Sequence, residues 1–595
     1  MKKIFFLFLM AIMLLPNALS DSKEGSMKLL AVSIGDNDSY SGSIADLKLE
    51  IKEGEGRVFI ESFPLTKIDT QITTRTAQQI ACGYLKMDCS KYDFFYTIRS
   101  SAAIVGGPSA GAATAILTVS LLGDFKLDKT VAVTGTINAG NIIGSVSAIK
   151  EKIDAASQNG IKKVIIPYGE RFVKEKNRTI DLVEFGKEKG IEVFEASDIA
   201  EALEIFTGKK IETARKNFTI DGNYLATMSS ISEALCNRST GILSVILSAG
   251  YAGANVIDNE SLELEEEADN LTAKAGEAMK KKEFYTAASY CYGANVRYSQ
   301  MLILEQNISY GSVNKTLEKL EADMDKFEKG IDKAKISTIT GLESYMIAKE
   351  RLDEARESVK DFREADRSNI SGYSFLAAGA IERFNSAKSW FGFYNNPGAE
   401  INLDKEALKQ ACAYKISEAE ERYQYVDLYF PGLMSGTKQE LKKVYQEYAS
   451  ENFALCLFLA SKTKAEIESV MSTIGVSEDK IDLLIDQRLR AAENVISEQN
   501  SRGIFPIFGY SYYEYATNLK NSNQSKATAL VYTQYAIELS ELDVYFKQAK
   551  KESAIKFDKD VLKTGGTFLA GFIIGIFVYE FVVLRKGKKM KKGKN

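Results

Sequence analysis

The chain of 595 residues contains no histidine. That excludes a Ser-His-Asp triad, a histidine general base and any His-ligated metal site. A Gly-X4-Gly-Lys-Ser/Thr phosphate loop is missing too, as is a dinucleotide fingerprint, so the sequence implies no nucleotide cofactor. Cysteine is scarce: Cys82, Cys89, Cys236, Cys291, Cys412 and Cys456. The Cys82–Cys89 spacing has no further ligands beside it and makes a poor zinc site. An even number permits disulfides in a secreted chain. Cys82 and Cys89 are the nearest pair, and free buried thiols are the competing reading. Residues 242–257 are apolar but too short and too polar for a membrane span, and read as a buried helix.

What is present begins with nearly balanced charge, 76 Lys+Arg against 80 Asp+Glu. The chain is too long for one core, since a single core rarely grows past about 250–300 residues. Its two ends differ from the rest. Lys2 and Lys3, an apolar stretch over 4–15 and small residues up to Ser20 read as a secretory leader, 1–20. An uncleaved anchor is the alternative. Residues 567–584 are apolar apart from Glu580, and with Gly565 and Gly566 they approach the ~20 residues that span a bilayer. Arg585, Lys586 and five further lysines follow, a cluster that stays cytoplasmic. The expected layout is a transmembrane helix at 565–584, a basic cytoplasmic tail at 585–595 and a large N-terminal part outside the cytoplasmic membrane. Setting aside the two leader lysines, the seven tail cations and Glu580 leaves 67 basic and 79 acidic residues, a net of −12. Such a surface argues against nucleic acid as a partner. Ten Asn-X-Ser/Thr sequons, from Asn37 to Asn523, agree with a glycosylated exterior.

The segment around which the chain is organised is Gly106-Gly107-Pro108-Ser109-Ala110-Gly111, followed by a run rich in small apolar residues. Glycine permits close backbone approach and proline suits a helix start. Ser109 would sit at the positive end of the helix dipole, where a developing oxyanion is favoured. A second segment carries Thr134-Gly135, a hairpin near Gly140 and Gly144, Lys150-Glu151-Lys152, Ala155-Ala156, Gly160-Ile161-Lys162 and Val164-Ile165-Ile166-Pro167. In this order and spacing, these islands resemble the proteolytic domain of the Lon proteases. The resemblance implies a mixed α/β (α+β) Lon-type fold over 27–210. It implies Ser109 as nucleophile and Lys152, 43 positions on, as general base. It further implies that Thr134 positions the lysine amine and that the backbone around Gly107, Pro108 and Ala110 forms the oxyanion hole. No cofactor is implied. Three departures stand out. Gly106 replaces an acidic residue of many Lon proteins, and Thr136 replaces a glutamate. The ATPase that feeds substrate in that family is missing altogether. The layout therefore resembles a membrane-anchored, secreted Lon-like serine protease without an ATPase domain, of archaeal type.

An ordinary lysine, with a pKa near ~10.4, is a poor base at neutral pH. Burial can lower that value by up to about 3–5 units. Lys152 is therefore expected in an apolar pocket with Ile149, Ile153 and Ala156, and Lys150 on a different face. Patterning predicts strands at 28–34, 43–51, 57–63, 92–98, 130–134, 163–167 and 192–194, with helices at 76–85 and 199–207. After a connecting segment at 211–260, residues 261–556 read as a helical domain broken at Pro397-Gly398, Pro431-Gly432 and Pro506. Its stretch 317–365 has helical apolar spacing and reads as a coiled coil or one arm of a helical hairpin. This domain would recruit substrate or build a homo-oligomer; a stalk is the plainer reading. The functional expectation is an ATP-independent serine endopeptidase with a Ser-Lys dyad, acting on unfolded or flexible protein or peptide substrates. The competing expectations are a catalytically silent, membrane-anchored receptor or scaffold on the same fold, and cleavage of the chain's own linker.

Overall fold

The computed structural model describes residues 22–34, 40–63, 68–100, 108–175, 178–211, 218–248, 259–401, 405–473, 476–520 and 526–542. The expected leader, the membrane span at 565–584, the basic tail, Gly106 and Gly107 lie outside the described residues. Among the described residues, no helix is long and apolar enough to cross a membrane.

Alternation builds the first sheet. In β2 (Tyr40–Glu53), Ala45, Leu47, Leu49 and Ile51 are buried while Asp46 and Lys48 are exposed. A period of two with one apolar face is what an antiparallel strand covered on one side requires. β2 pairs antiparallel with β1 (Lys23–Ile34), Ala45 facing Leu29. On its other side it pairs antiparallel with β4 (Tyr92–Ser100), Leu47 facing Ile98. β3 (Val58–Phe63) runs parallel to β4, giving the order β1-β2-β4-β3. Between β3 and β4 comes α1 (Ile68–Leu85), which starts earlier than its amphipathic pattern predicts.

After β4 the chain forms a 3-10 turn, Pro108–Ala110, that leads into α2 (Gly111–Leu122). All of α2 except Leu121 is buried. A helix apolar on every side must sit inside a core. Ile116 and Val119 pack in one cluster with Leu47 and Phe94 of the first sheet and with Val131 and Ile165 of a second sheet. Full burial of each such side chain contributes about 1.5–3 kcal/mol. The Tyr96 and Thr118 hydroxyls, 2.8 Å apart, add a polar link between β4 and α2. The second sheet is parallel, with β8 (Lys163–Pro167) between β5 (Val131–Val133) and β11 (Glu192–Ala196). Between β5 and β8 come the hairpin β6 (Thr136–Asn138) and β7 (Ile142–Gly144), and then α3 (Ile149–Ser157). A second hairpin, β9 (Phe172–Glu175) and β10 (Arg178–Asp181), leads to α4 (Leu182–Glu188). α5 (Ile199–Thr207), capped by Asp198, closes this α/β part.

From Gly222 onward the described chain is helical. α6 (Gly222–Ser248) occupies most of the expected connecting segment, and residues 249–258 lie outside the described residues. α7 (Asn259–Lys281) and α8 (Phe284–Glu305) follow as a hairpin. The 317–365 stretch is two helices, α9 (Tyr310–Ile331) and α10 (Ile339–Glu364). The break has a local cause: the Thr338 side chain accepts from the Gly341 N–H and caps a new helix. α11 (Ile370–Trp390) packs beside them, with Met324, Phe362 and Phe384 in one cluster. The series ends with α12 (Lys405–Tyr429), α13 (Ser435–Ala449), α14 (Phe453–Thr473), α15 (Ile481–Ser501), α16 (Ile507–Lys520) and α17 (Lys526–Ser540). The breaks at Pro397-Gly398, Pro431-Gly432 and Pro506 each separate helices.

Charge is built into this helical core. Lys464 Nζ lies 2.9 Å from Glu538 and 3.0 Å from Glu418, and Lys415 lies 3.0 Å from Glu418. Arg422 reaches Glu468 at 3.3 Å. All six side chains are buried. Their lattice ties α12, α14 and α17 together.

The helical part is seated on the α/β part rather than held away from it. Ile142 of β7 belongs to the same apolar cluster as Ala491, Tyr535 and Ile537. Gly140, at φ 73°, turns the β6–β7 hairpin against them: a Cβ there would stand 3.0 Å from the Ala491 Cβ. Lys480 pairs with Glu170 at 2.8 Å and Lys86 with Glu498 at 2.7 Å. Ile72 of α1 clusters with Val426, Met434 and Ile467.

All six cysteines are paired, as Cys82–Cys89, Cys236–Cys291 and Cys412–Cys456. The second pair joins α6 to α8 and the third joins α12 to α14. The sequence separations are 7 and 55 for the first two. On the chain-entropy account, the longer loop stabilises by about 4 kcal/mol and the shorter by about 2. Replacing both cysteines of Cys236–Cys291 with serine is therefore expected to cost more stability than the same change at Cys82–Cys89, as read by urea unfolding followed by circular dichroism.

Candidate active site

Ser109 sits in the 3-10 turn just ahead of α2, half-buried. A two-bond clamp holds this turn. The Gly135 N–H donates to the Ser109 carbonyl at 3.1 Å, and the Ala112 N–H donates to the Gly135 carbonyl at 3.0 Å. The clamp requires close contact, and glycine supplies it. A Cβ on Gly111 would lie 2.9 Å from the Ile137 amide nitrogen, and one on Gly135 would lie 2.4 Å from an Ile143 methyl. The clamp also fixes where Thr134 falls. Its N–H donates to the Ile165 carbonyl at 3.0 Å, which ties it to the middle of β8. Thr134 is fully buried, and its hydroxyl has no hydrogen-bond partner among the described residues. A buried unsatisfied hydroxyl costs about 1–3 kcal/mol, and in a native structure it calls for an explanation.

Lys152 lies on α3, only 2% exposed. The residues at i−3, i+1 and i+4 are Ile149, Ile153 and Ala156, also buried, so the lysine belongs to the apolar stripe of its helix. That stripe packs with Leu30, Ala132, Val164 and Ile166, and Ala132 is two residues before Thr134. The expected apolar surroundings are therefore present. Burial lowers the Lys152 pKa to about 8, with Glu151 pulling weakly the other way. Lys150 takes another direction and lies over the Phe185 ring at 6.0 Å. Of the expected site residues, Ser109 with Pro108 and Ala110 occupies one segment, Thr134 is tied to that segment through Gly135, and Lys152 enters from the core shared with β5.

Two features of this region have no counterpart in the motif reading. The first is Gly42 in β2. A Cβ there would stand 2.0 Å from the Glu151 carbonyl and 2.9 Å from the Ala155 Cβ, so β2 touches the backbone of α3 beside Lys152. A glycine inside an alternating strand is a recognised sign of such close approach. The second is Ala148, which enters α3 with φ 54° and ψ 41°, a left-handed conformation that is uncommon for alanine. Its carbonyl accepts from the Lys152 N–H at 3.2 Å. Nothing in the sequence marks that strain. A cleft of about 820 Å³ opens elsewhere, between α5 and α15, lined by Asp198, Glu201, Glu204, Arg490 and Glu493; Ser109, Thr134 and Lys152 are not among its residues. Among the described residues, no group of histidine, cysteine or acidic side chains could hold a metal ion.

Residues 71–206 match the family model of the Lon protease (S16) C-terminal proteolytic domain. The chain is 30% identical over 158 residues to the Lon protease of Buchnera aphidicola, covering 27% of this chain and 19% of that one. It is 28% identical over 183 residues to the Lon protease of Flavobacterium johnsoniae, covering 30% and 22%. Over 77 residues it is 44% identical to the Lon protease of Desulfosudis oleivorans, covering 13% and 9%. The chain thus spans less than a quarter of the length of these relatives. What it shares with them is the proteolytic domain of a serine peptidase family.

The burial of Lys152 sets a pH dependence. Its amine is protonated below about 8 and neutral above it. The Lys152 amine is expected to titrate with a midpoint near 8, as read by NMR of the full-length chain across pH 6 to 10 at constant ionic strength. The unfolded chain holds this proton more tightly than the folded one, so the lysine's contribution to stability improves as pH rises from about 8 toward the ordinary lysine value. Gly42→Ala is expected to lower stability by about 1–3 kcal/mol through overpacking against the Glu151 carbonyl, as read by thermal melting.

Proposed function

We propose that this chain is an ATP-independent serine endopeptidase that uses Ser109 and Lys152 as a dyad. The observation that carries the reading is the burial of Lys152 within an apolar helix stripe, which brings its amine toward neutrality at ordinary pH. An ion-paired surface lysine would have no such property. In the proposed reaction, neutral Lys152 takes the Ser109 hydroxyl proton as Oγ attacks the scissile carbonyl. The C–N bond breaks, the amine leaves with that proton, and an acyl-serine remains. Water then attacks the ester and gives its proton to Lys152; the acyl C–O bond breaks, the acid product leaves, and Lys152 returns the proton to the Ser109 oxygen. The unpartnered Thr134 hydroxyl supports a role in holding the amine. The N–H groups of Ser109 and Ala110 are the oxyanion donors in this reading; Pro108 has no N–H to give.

The substrates are unfolded or flexible polypeptides, because the chain has no phosphate loop to drive unfolding. The leader at 1–20, the apolar run at 565–584 and the basic tail support action outside the cytoplasmic membrane from a single-pass anchor. The helical part, packed on the β6–β7 hairpin that follows Thr134, supports a role in presenting substrate rather than that of a stalk.

The test is cleavage of an unfolded protein by the full-length chain in detergent micelles, without ATP. The parent is expected to cut, and Ser109→Ala and Lys152→Ala each to lose about 10³-fold or more of kcat while remaining folded. Equal residual cleavage by all three would assign it to a contaminant, and no cleavage by the parent would leave a scaffold built on a silent proteolytic domain.

A further inference from the structure

Among the described residues, β3 is the outer strand of the first sheet and pairs only with β4. Natural edge strands are commonly blunted by lysine, proline or a bulge. β3 instead carries Phe59 at 40% and Phe63 at 66% exposure. Phe59 is held flat against the outer face by a stack on Phe95, with 4.7 Å between ring centroids and 3° between planes. The Arg57 guanidinium lies over the same ring at 5.4 Å.

Ladder geometry identifies what the edge offers. The Arg57 carbonyl accepts from the Phe94 N–H at 2.8 Å. The odd-numbered residues of β3 therefore direct their N–H and C=O groups toward β4. Val58, Ile60 and Ser62 direct theirs outward. Side chains divide the other way: Arg57, Phe59, Glu61 and Phe63 are exposed on the outer face, while Val58, Ile60 and Ser62 are half-buried.

We propose that this edge is a homodimer interface, in which β3 of a second copy pairs antiparallel about a two-fold axis at Phe59. Three two-fold registers let the outward groups meet. Centring on Ile60 sets Phe59 against Glu61, and centring on Glu61 sets two glutamates face to face. Centring on Phe59 sets Arg57 against Glu61 twice and stacks one Phe59 beside the other. In that register Val58 and Ile60 exchange the hydrogen bonds. The Phe59 pair is then of the non-hydrogen-bonded kind, with Cα atoms about 4.5 Å apart. Each such aromatic or charged cross-strand pair contributes about 0.2–1 kcal/mol. Both charges are already oriented in the single chain, Arg57 by Asp93 at 2.6 Å and Glu61 by Arg99 at 3.3 Å. The product is a continuous eight-stranded sheet, and the contact closes on itself because the same patch is used twice. An extended substrate could use the edge's backbone groups but would not mirror its charges. The inference is independent of whether Ser109 is active.

The paired state of all six native cysteines makes a cross-linking test clean, because an introduced cysteine is the only thiol among the described residues. The full-length chain in non-ionic detergent is expected to show twice its chain mass by light scattering. Phe59→Cys is expected to give a covalent dimer on mild oxidation, seen on a non-reducing gel. Phe63→Cys is not, because its two copies would stand about 27 Å apart along the strands. Ile60→Pro removes an outward N–H where an edge strand tolerates proline, and is expected to give a folded monomer. A monomeric parent that Phe59→Cys does not trap overturns the proposal. So does trapping of Phe63→Cys as readily as Phe59→Cys, or a parent dimer that Ile60→Pro leaves intact.

Discussion

The arrangement around the candidate site depends on keeping one lysine amine away from water. An ammonium in apolar surroundings is costly, and the cost is met here by a shift of the proton equilibrium rather than by a counter-ion. Glu151 is adjacent in sequence but acts only weakly on it. The burial itself comes from packing. Lys152 shares a helix stripe with Ile149, Ile153 and Ala156, and this stripe faces Leu30, Ala132, Val164 and Ile166. β2 completes the enclosure, approaching α3 closely enough at Gly42 that no side chain fits between them. Ala148 holds the entry to the helix in a strained conformation. Strain of this sort persists only where the surrounding structure over-determines it.

The helical part bears on the same region from the other side. The β6–β7 hairpin leaves Gly135, which is hydrogen-bonded to the Ser109 turn, and ends in a core shared with α15 and α17. α1, whose Thr73 methyl would meet a Cβ on Gly111 at 3.2 Å, packs its Ile72 against Val426 and Met434. The Ser109 turn is thus braced through two elements that each contact the helical part. The helical part lies beyond the matched residues 71–206.

The α/β part was legible because its signals are local. Alternation in 43–51 placed β2, the apolar run after Gly111 placed a helix, and the low pKa that a Ser-Lys pair of the resembled kind requires put Lys152 in an apolar pocket. Ser109 and Lys152 were singled out by motif resemblance, and the geometry adds the burial of Lys152 and the Gly135 clamp. Long-range features were not legible. The break between α9 and α10 hangs on one cap, Thr338, inside a continuous apolar periodicity. The seating of Gly140 against Ala491 joins residues about 350 positions apart, and no local pattern encodes it. The pairing of the cysteines likewise depended on tertiary neighbours: Cys236 and Cys291 meet because α6 and α8 pack together. Ala148 was invisible because alanine carries no preference for the conformation it adopts.

The buried lattice of Lys415, Glu418, Arg422, Lys464, Glu468 and Glu538 bears on how the molecule responds to heat. Removing six charged groups from water is a poor bargain at low temperature, and apolar residues of the same volume would often serve as well. Hydration of charge weakens on warming, however, so the desolvation penalty of such a lattice shrinks while apolar cohesion levels off. Buried pairs are also largely indifferent to added salt. The body that braces the Ser109 turn is therefore cemented by contacts whose relative strength grows as the surroundings become hotter and changes little as they become saltier.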